Sequence, residues 1–309
     1  MDNNNFLNEN KKLIILAIFA IVFLSIPIFL KTEKENTNLK VEQIIQRKVF
    51  DYKSVLDTIE AKSYYVYDLV DMKSIFSKEE HLKLPLASIT KIMSGLVVMD
   101  IMPDTTTVII SQDNLLSEGD SGLYVGEKWK LKDLLDFSLI SSSNDGMSAV
   151  ASTLNQYLKI NNKDIVKVMN EKAKEFGLDD TIFMNETGLD IDANLGGAYS
   201  SAFDTAVLLK NVMKIHPELV VNTNKVDEKY ISESNLKHTA TNTNTSINKI
   251  NNLIISKTGY TDLAGGNLAV VVDAGFMHPV AIVVLGSSID GRFNDVVKLT
   301  KLTLEKLSE

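Results

Sequence analysis

Two apolar runs close to the C-terminus, NLAVVVDA (267–274) and HPVAIVVLG (278–286), constrain the fold most. They are rich in β-branched residues and long enough for buried strands. A third strand pattern stands far from them in sequence. SYYVYDLV begins at Ser63 and is followed by SIF, which reads as a β-hairpin with Asp71 near its turn. Between these ends the apolar spacing is helical at about 89–100, 131–140, 144–158, 163–176 and 200–215, and again near 294–308. Strands at both ends with helices between them imply an α/β (α+β) architecture. Its antiparallel sheet is built from both chain ends, with a helical region inserted. The stretch 222–252 is polar and rich in Thr and Asn, and predicts loops and short hairpins. No internal repeat, G-x-G-x-x-G or Walker phosphate loop is present.

Composition removes several function classes. The 309 residues include 32 Lys+Arg and 40 Asp+Glu, a net charge of −8 that argues against a nucleic-acid partner. With 45% hydrophobic and 23% charged residues the chain has the balance of a globular protein, not a disordered one. Cysteine is absent, which excludes disulfides, thiolate metal sites and cysteine nucleophiles. Of the four histidines (His81, His216, His238 and His278), no two stand at a metal-ligand spacing, so neither a metal nor another cofactor is expected.

Residues 13–30, LIILAIFAIVFLSIPIFL, form an 18-position run without a charge. At 1.5 Å per residue that is roughly 27 Å, close to the hydrocarbon thickness of a bilayer. Lys11 and Lys12 precede it as they would in a signal peptide, but the run is long for that purpose and no A-x-A site follows it. The expected organisation is a short tail (1–12), a transmembrane signal-anchor (13–30) in the lipid bilayer, a spacer (31–60) with a short helix, and a folded domain (61–309). Orientation is contested by charge. Lys31, Lys34, Lys40, Arg47 and Lys48 outnumber the two lysines before the run, which by simple count puts the body in the cytoplasm. Long domains, however, translocate largely regardless of charge.

Three short segments carry the chemistry. Ser88-Ile89-Thr90-Lys91 opens an apolar helical stretch, and residues three apart on a helix share a face, so the Lys91 amine can reach the Ser88 hydroxyl. A serine needs such a base, and a lysine kept neutral by neighbouring positive charge can serve. The same spacing recurs at Ser234/Lys237 and Ser246/Lys249, both in the polar stretch with no helix to open. Ser142-Ser143-Asn144 lies between two helical patterns, where Ser142 and Asn144 can face one cleft; the same residues are also favoured as plain helix caps. Lys257-Thr258-Gly259 ends an apolar segment expected to return into the sheet as an edge strand. There Lys257 brings charge, Thr258 a hydroxyl, and Gly259 a surface free of side chain for a substrate lying along the strand.

The order S-x-x-K, S-x-N, K-T-G is that of class A β-lactamases and penicillin-binding proteins. The stretches PLASITKIMSGLVV, EGDSGLYVGEKWKLKDLLDFSLISSSNDGMSAVA, FMNETGLD, YSSAFDTAVLL and SKTGYTDLAGGNLAVVV resemble the D-alanyl-D-alanine carboxypeptidase family of low-molecular-mass penicillin-binding proteins, from about Ser63 onward. That resemblance implies a β-lactamase/transpeptidase-like fold and a serine-type carboxypeptidase acting on peptidoglycan stem peptides that end in D-Ala-D-Ala, with β-lactams as covalent inhibitors. It implies Ser88 as the acylated nucleophile, Lys91 as its base, Ser142 as proton relay and Asn144 as a peptide-binding amide. It also implies Lys257 and Thr258, on the strand with Gly259, as the carboxylate grip, with Arg292 as a further carboxylate-binding arginine. The backbone N–H groups of Ser88 and Tyr260 would form the oxyanion hole. A substrate outside the cytoplasmic membrane puts the domain outside too, against the charge count. The sequence departs from the resemblance in three ways. Ser143 and Gly146 stand where many relatives have Gly and Ala; the second, β-rich domain of relatives is not expected; and the anchor lies at the N-terminal end. A class A-like β-lactamase, with Glu186 in the interval of its deacylating Glu, and a non-catalytic penicillin-binding wall sensor are the competing readings.

Overall fold

Alternate side chains of a strand face opposite ways, so a strand that is apolar at every position must be covered on both sides. In the computed structural model, which describes residues 51–159 and 162–309, the strand patterns meet that demand together. Strands β1 (Ser63–Asp68), β2 (Lys73–Lys78), β3 (Leu253–Thr261), β4 (Gly265–Asp273) and β5 (Pro279–Ser287) form one sheet in the order β3-β4-β5-β1-β2. Every pairing is antiparallel. β1 joins the C-terminal hairpin through the register Ser63↔Leu285 to Asp68↔Val280, so both chain ends build the sheet as expected. Asp71 is exposed in the β1–β2 turn, where the Asp68 carboxylate accepts from the Val70 and Asp71 N–H groups.

The alternation sorts the core into two layers. Tyr64, Val66, Leu268, Val270, Val272, Ile282 and Val284 face one way, onto Phe293, Val296 and Leu299 of the last helix, α6 (Gly291–Leu307). Tyr65, Tyr67, Ala269, Val271, Ala281 and Val283 face the larger core on the other side. That core holds the inserted helices α1 (Lys91–Ile101), α2 (Leu131–Ser141), α3 (Asn144–Leu158), α4 (Ile165–Glu175) and α5 (Ala202–Ile215). Helix α1 is buried continuously from Lys91 to Val98, which explains why its sequence is apolar all round instead of amphipathic. The polar stretch contributes one hairpin, Asp227–Ile231 with Lys237–Thr241, and loops.

The expected tail, anchor and most of the spacer lie outside the described residues. Among the described residues no helix is long and apolar enough to cross a membrane.

The departure at Gly146 has a packing reason. A Cβ there would meet the Ser138 hydroxyl at 2.2 Å, on the facing helix α2, and Leu134 at 3.2 Å. Ser138 itself donates back to the Leu134 carbonyl at 2.6 Å, so its hydroxyl fills the space an alanine methyl would take. Gly146→Ala is expected to cost about 1–3 kcal/mol through overpacking, less the small helical gain of Ala over Gly. The double variant Ser138→Ala/Gly146→Ala should recover most of that in urea unfolding. Additive losses would show that the two positions do not compete for one volume.

Candidate active site

Ser88 stands on a short 3₁₀ turn, Ala87–Thr90, that runs directly into α1. Ala87 carries φ of 50°, a left-handed value that is costly for an L-residue and that presents the half-buried Ser88 at a sharp turn. The turn is wedged between two glycines. A Cβ on Gly188 would fall 1.9 Å from the Ala87 carbonyl oxygen, and one on Gly259 would fall 2.6 Å from that of Leu86. Gly259 thus lacks a side chain first because β3 lies against the backbone of the nucleophile turn. That differs from the sequence expectation, in which the glycine clears space for substrate.

Lys91 is fully buried, and three oxygens surround its Nζ. Asn144 Oδ1 lies 2.6 Å away, the Thr187 carbonyl 2.9 Å and Ser88 Oγ 2.8 Å. Burial holds the amine down from 10.5 to about 7, the Glu186 carboxylate opposing this. The sequence expectation of a lysine neutralised by a neighbouring cation is corrected here, since loss of water is the larger cause. A neutral amine has two N–H donors and one lone pair. Two of its neighbours, the Asn144 amide oxygen and the Thr187 carbonyl, can only accept. They take both N–H groups, so the lone pair is left for the Ser88 hydroxyl proton. This is the geometry of a base poised on its nucleophile.

The second segment divides its roles. Ser143 is the helix cap, its Oγ accepting from Gly146 N at 3.0 Å. Ser142, in a left-handed conformation (φ 61°) at the end of α2, and Asn144, at the start of α3, are thereby free to face the cleft. Asn144 is held by its Nδ2 donating to the Glu118 carbonyl at 2.6 Å while its oxygen takes Lys91. Ser142 Oγ accepts from Lys257 Nζ at 2.8 Å. All three segments therefore meet. The recurrent S-x-x-K matches do not: Ser234 accepts from Lys128 N near the hairpin, and Ser246 bonds Asn244 in a loop.

β3 is the sheet edge expected for the Lys257 segment. Lys257 is buried and also donates to the Thr258 carbonyl at 3.0 Å. Burial, with the Lys91 and Arg292 charges adding to it, holds its ammonium well below the ordinary lysine value. Arg292 reaches β3 from the start of α6: Nη1 donates to the Gly259 carbonyl at 2.8 Å, and the guanidinium lies over the Tyr260 and Phe293 rings. Its Nε is buried and unpartnered among the described residues. The Ser88 N–H belongs to the first turn of a helix, where N–H groups lack intrahelical acceptors. A Gly259 Cβ would lie 3.3 Å from that nitrogen, so the backbone entering Tyr260 borders the same space.

Several participants carried no sequence signal. Thr187 contributes only a carbonyl, which no side-chain pattern reports. Thr243, in the polar stretch, shares a hydroxyl hydrogen bond with Thr258. Asn267, buried in β4, donates to the Pro85 and Leu86 carbonyls at 2.9 and 3.1 Å and accepts from Gly286 N at 2.8 Å, fastening the nucleophile strand to the sheet. Glu186 offers its carbonyl to Ser94 at 2.6 Å, and its carboxylate acts on Lys91 through space.

A nucleophile turn, an interhelical serine–asparagine and a lysine-bearing edge strand around one cleft define a protein of the penicillin-binding, transpeptidase-like class. The solved penicillin-binding protein D2 of Listeria monocytogenes, in its ampicillin-bound form, shares the fold with a TM-score of 0.65 at 22% identity, over 80% of this chain and 98% of that one. The D-alanyl-D-alanine carboxypeptidase family profile matches residues 50–288, and the chain belongs to that family. D-alanyl-D-alanine carboxypeptidase DacF of Bacillus subtilis is 31% identical over 247 residues, 78% of this chain and 61% of DacF. A D-alanyl-D-alanine endopeptidase of Escherichia coli is 32% identical over 235 residues, 74% of this chain and 71% of that one. The chain thus spans less than two thirds of the length of DacF.

Proposed function

We propose that this chain is a serine-type D-Ala-D-Ala carboxypeptidase that trims peptidoglycan stem peptides through an acyl-enzyme on Ser88. In this reading residues 13–30 anchor it in the cytoplasmic membrane and the folded domain lies outside. The observation that carries the reading is the hydrogen-bond set of Lys91, which leaves a neutral amine's lone pair for Ser88 Oγ.

The peptide lies along β3, with its terminal carboxylate gripped by Lys257 and Thr258 and by the nearby charge of Arg292. That carboxylate favours the charged form of Lys257, and a charged Lys257 disfavours the protonated form of Lys91. Substrate binding therefore keeps the base free. Ser88 Oγ attacks the carbonyl carbon of the penultimate D-alanine while its proton passes to Lys91 Nζ. The oxygen of the tetrahedral intermediate takes negative charge facing the N–H groups of Ser88 and Tyr260. On collapse the C–N bond breaks, the proton taken up by Lys91 passes by way of Ser142 to the departing nitrogen, and D-alanine leaves with Lys91 neutral again. Water then attacks the Ser88 ester, giving up a proton to Lys91 and freeing the shortened peptide and the Ser88 hydroxyl. With a β-lactam the same attack opens the ring, but the leaving nitrogen stays tethered and the ester persists.

Labelling with a fluorescent penicillin tests this. The wild type is expected to form a covalent band that Ser88→Ala lacks, and to release D-alanine from a pentapeptide. Absence of the wild-type band would defeat the acyl-enzyme. Labelling without D-alanine release would favour a sensor, and rapid nitrocefin turnover a β-lactamase. Cleavage of cross-linked dimers in preference to pentapeptide would move the assignment to an endopeptidase.

A further inference from the structure

At the end of the sheet remote from Ser88, two turns stand side by side. One joins β1 to β2 and the other joins β4 to β5. His278 Nε2 lies 2.8 Å from Asp68 Oδ2, and Leu69 N donates to the Pro279 carbonyl at 3.1 Å. Turn tips normally carry Gly, Asn, Asp or Ser, which tolerate left-handed backbone and solvent. Here Phe276 is 97% exposed and Met277 76%, and Val70 and Met72 are more than half exposed beside them. Met72 and Met277 even hold the left-handed positions, at φ 57° and 55°.

These tips are built, not slack. Asp273 Oδ1 accepts from Gly275 N and His278 N at 3.2 and 2.9 Å, and Asp68 Oδ1 accepts from Val70 N and Asp71 N within its own turn, each at 2.9 Å. Both carboxylates are thereby occupied inside the turns. Asp71 is paired with Lys73 at 3.0 Å. That leaves Lys210 and Lys214 of α5, which line a groove of about 390 Å³ together with Leu69, Met72 and Pro279 and have no acidic partner among the described residues.

We propose that the paired turn tips dip into the interface of a phospholipid bilayer, with Lys210 and Lys214 meeting anionic headgroups. Protruding apolar side chains suit a deformable lipid interface, whereas a protein partner would need a matching hollow. The flanking unpaired ammonium groups supply the charge complementarity of an interfacial contact. The inference goes beyond the catalytic reading. β4 has nine residues, and about 3.4 Å per residue puts the tips roughly 27 Å from the Ser88 end. Lipid contact at the tips would hold the cleft off the membrane and pointed away from it.

The absence of cysteine makes a direct test possible. Phe276→Cys and, at the cleft end, Asp262→Cys are each labelled with an environment-sensitive fluorophore in the full chain. Each is mixed with phosphatidylglycerol/phosphatidylcholine vesicles carrying headgroup-proximal nitroxide lipids, and flotation of the protein with the vesicles is recorded separately. The expected result is at least a twofold nitroxide quench at 276 and none at 262. Lys210→Glu/Lys214→Glu should reduce the quench on anionic vesicles but not on pure phosphatidylcholine. Flotation with equal signals at 276 and 262 would overturn the lipid contact while leaving the anchor intact. Failure to float would overturn both. Self-quenching at 276 that ignores nitroxide lipid would assign the tips to a second copy of the chain and overturn the proposal.

Discussion

Lys91→Met is expected to lower the second-order rate of penicillin acylation by about 10²–10⁴-fold, the usual worth of a positioned general base. It should also abolish the pH dependence on the acid side. Only the neutral amine can accept the Ser88 proton, and the amine is held at about 7. The wild-type rate should therefore rise about tenfold per pH unit below 7 and level off above it, while the variant stays flat. Fluorescent penicillin labelling in a pH series measures both. A slope that survives in the variant, or a wild-type inflection near the ordinary lysine value, would remove Lys91 from the role of base.

The same depression acts on the fold. A buried lysine held at about 7 against 10.5 in solution binds fewer protons folded than unfolded. Stability is then lost as pH falls from 10.5 towards 7, by roughly 5 kcal/mol from this group taken alone, and no further below 7. Lys257, depressed by burial and by the charges of Lys91 and Arg292, adds a cost of the same sign. Two buried amines in one cleft, Lys91 on Ser88 and Lys257 on Ser142, are a standing burden on a domain of this size.

How much of this was legible in the sequence depends on what carries the signal. Ser88, Lys91, Ser142, Asn144 and Lys257 could be read because their spacing matches local geometry: three residues on a helix, two across an interhelical turn, and the end of an apolar strand. The sheet was legible because β1, β4 and β5 are apolar at successive positions, which only burial on both faces permits. Illegible were contacts made by backbone or fixed by tertiary approach. The Thr187 carbonyl has no side-chain signature, and Thr243 looked like one threonine among many in a polar stretch. The closeness of Gly259 to Leu86 depends on two segments 173 positions apart in sequence (259 minus 86). The cause of the Lys91 depression was also out of reach, because burial is a property of the packed helix α1 and not of its neighbours in sequence.

Asn267 shows the same limit most sharply, and carries the second large prediction. In sequence it is the first letter of an apolar strand. In the structure it is a clamp, fully buried, giving both N–H groups to the carbonyls of Pro85 and Leu86 and its oxygen to Gly286 N. Asn267→Ala removes all three bonds, one to the buried Leu86 carbonyl and two to partly buried backbone groups, and a buried group that loses its partner costs about 1–3 kcal/mol. The expected loss is about 3–5 kcal/mol in urea unfolding, allowing for partial relaxation. Relaxation has little room, because a Cβ on the adjacent Gly266 would already lie 2.1 Å from the Ser288 carbonyl. The clamp also sets where Ser88 stands relative to β3, and a displacement of about 1 Å at a nucleophile can cost about 10²-fold in rate. Acylation by penicillin should therefore fall by about that factor at a temperature where near-ultraviolet circular dichroism shows the variant folded. A variant that unfolds early but, while folded, acylates at the wild-type rate would make Asn267 a stabilising residue alone. One that keeps both stability and rate would mean that the nucleophile turn is fixed by Gly188 and Gly259 without the help of the sheet.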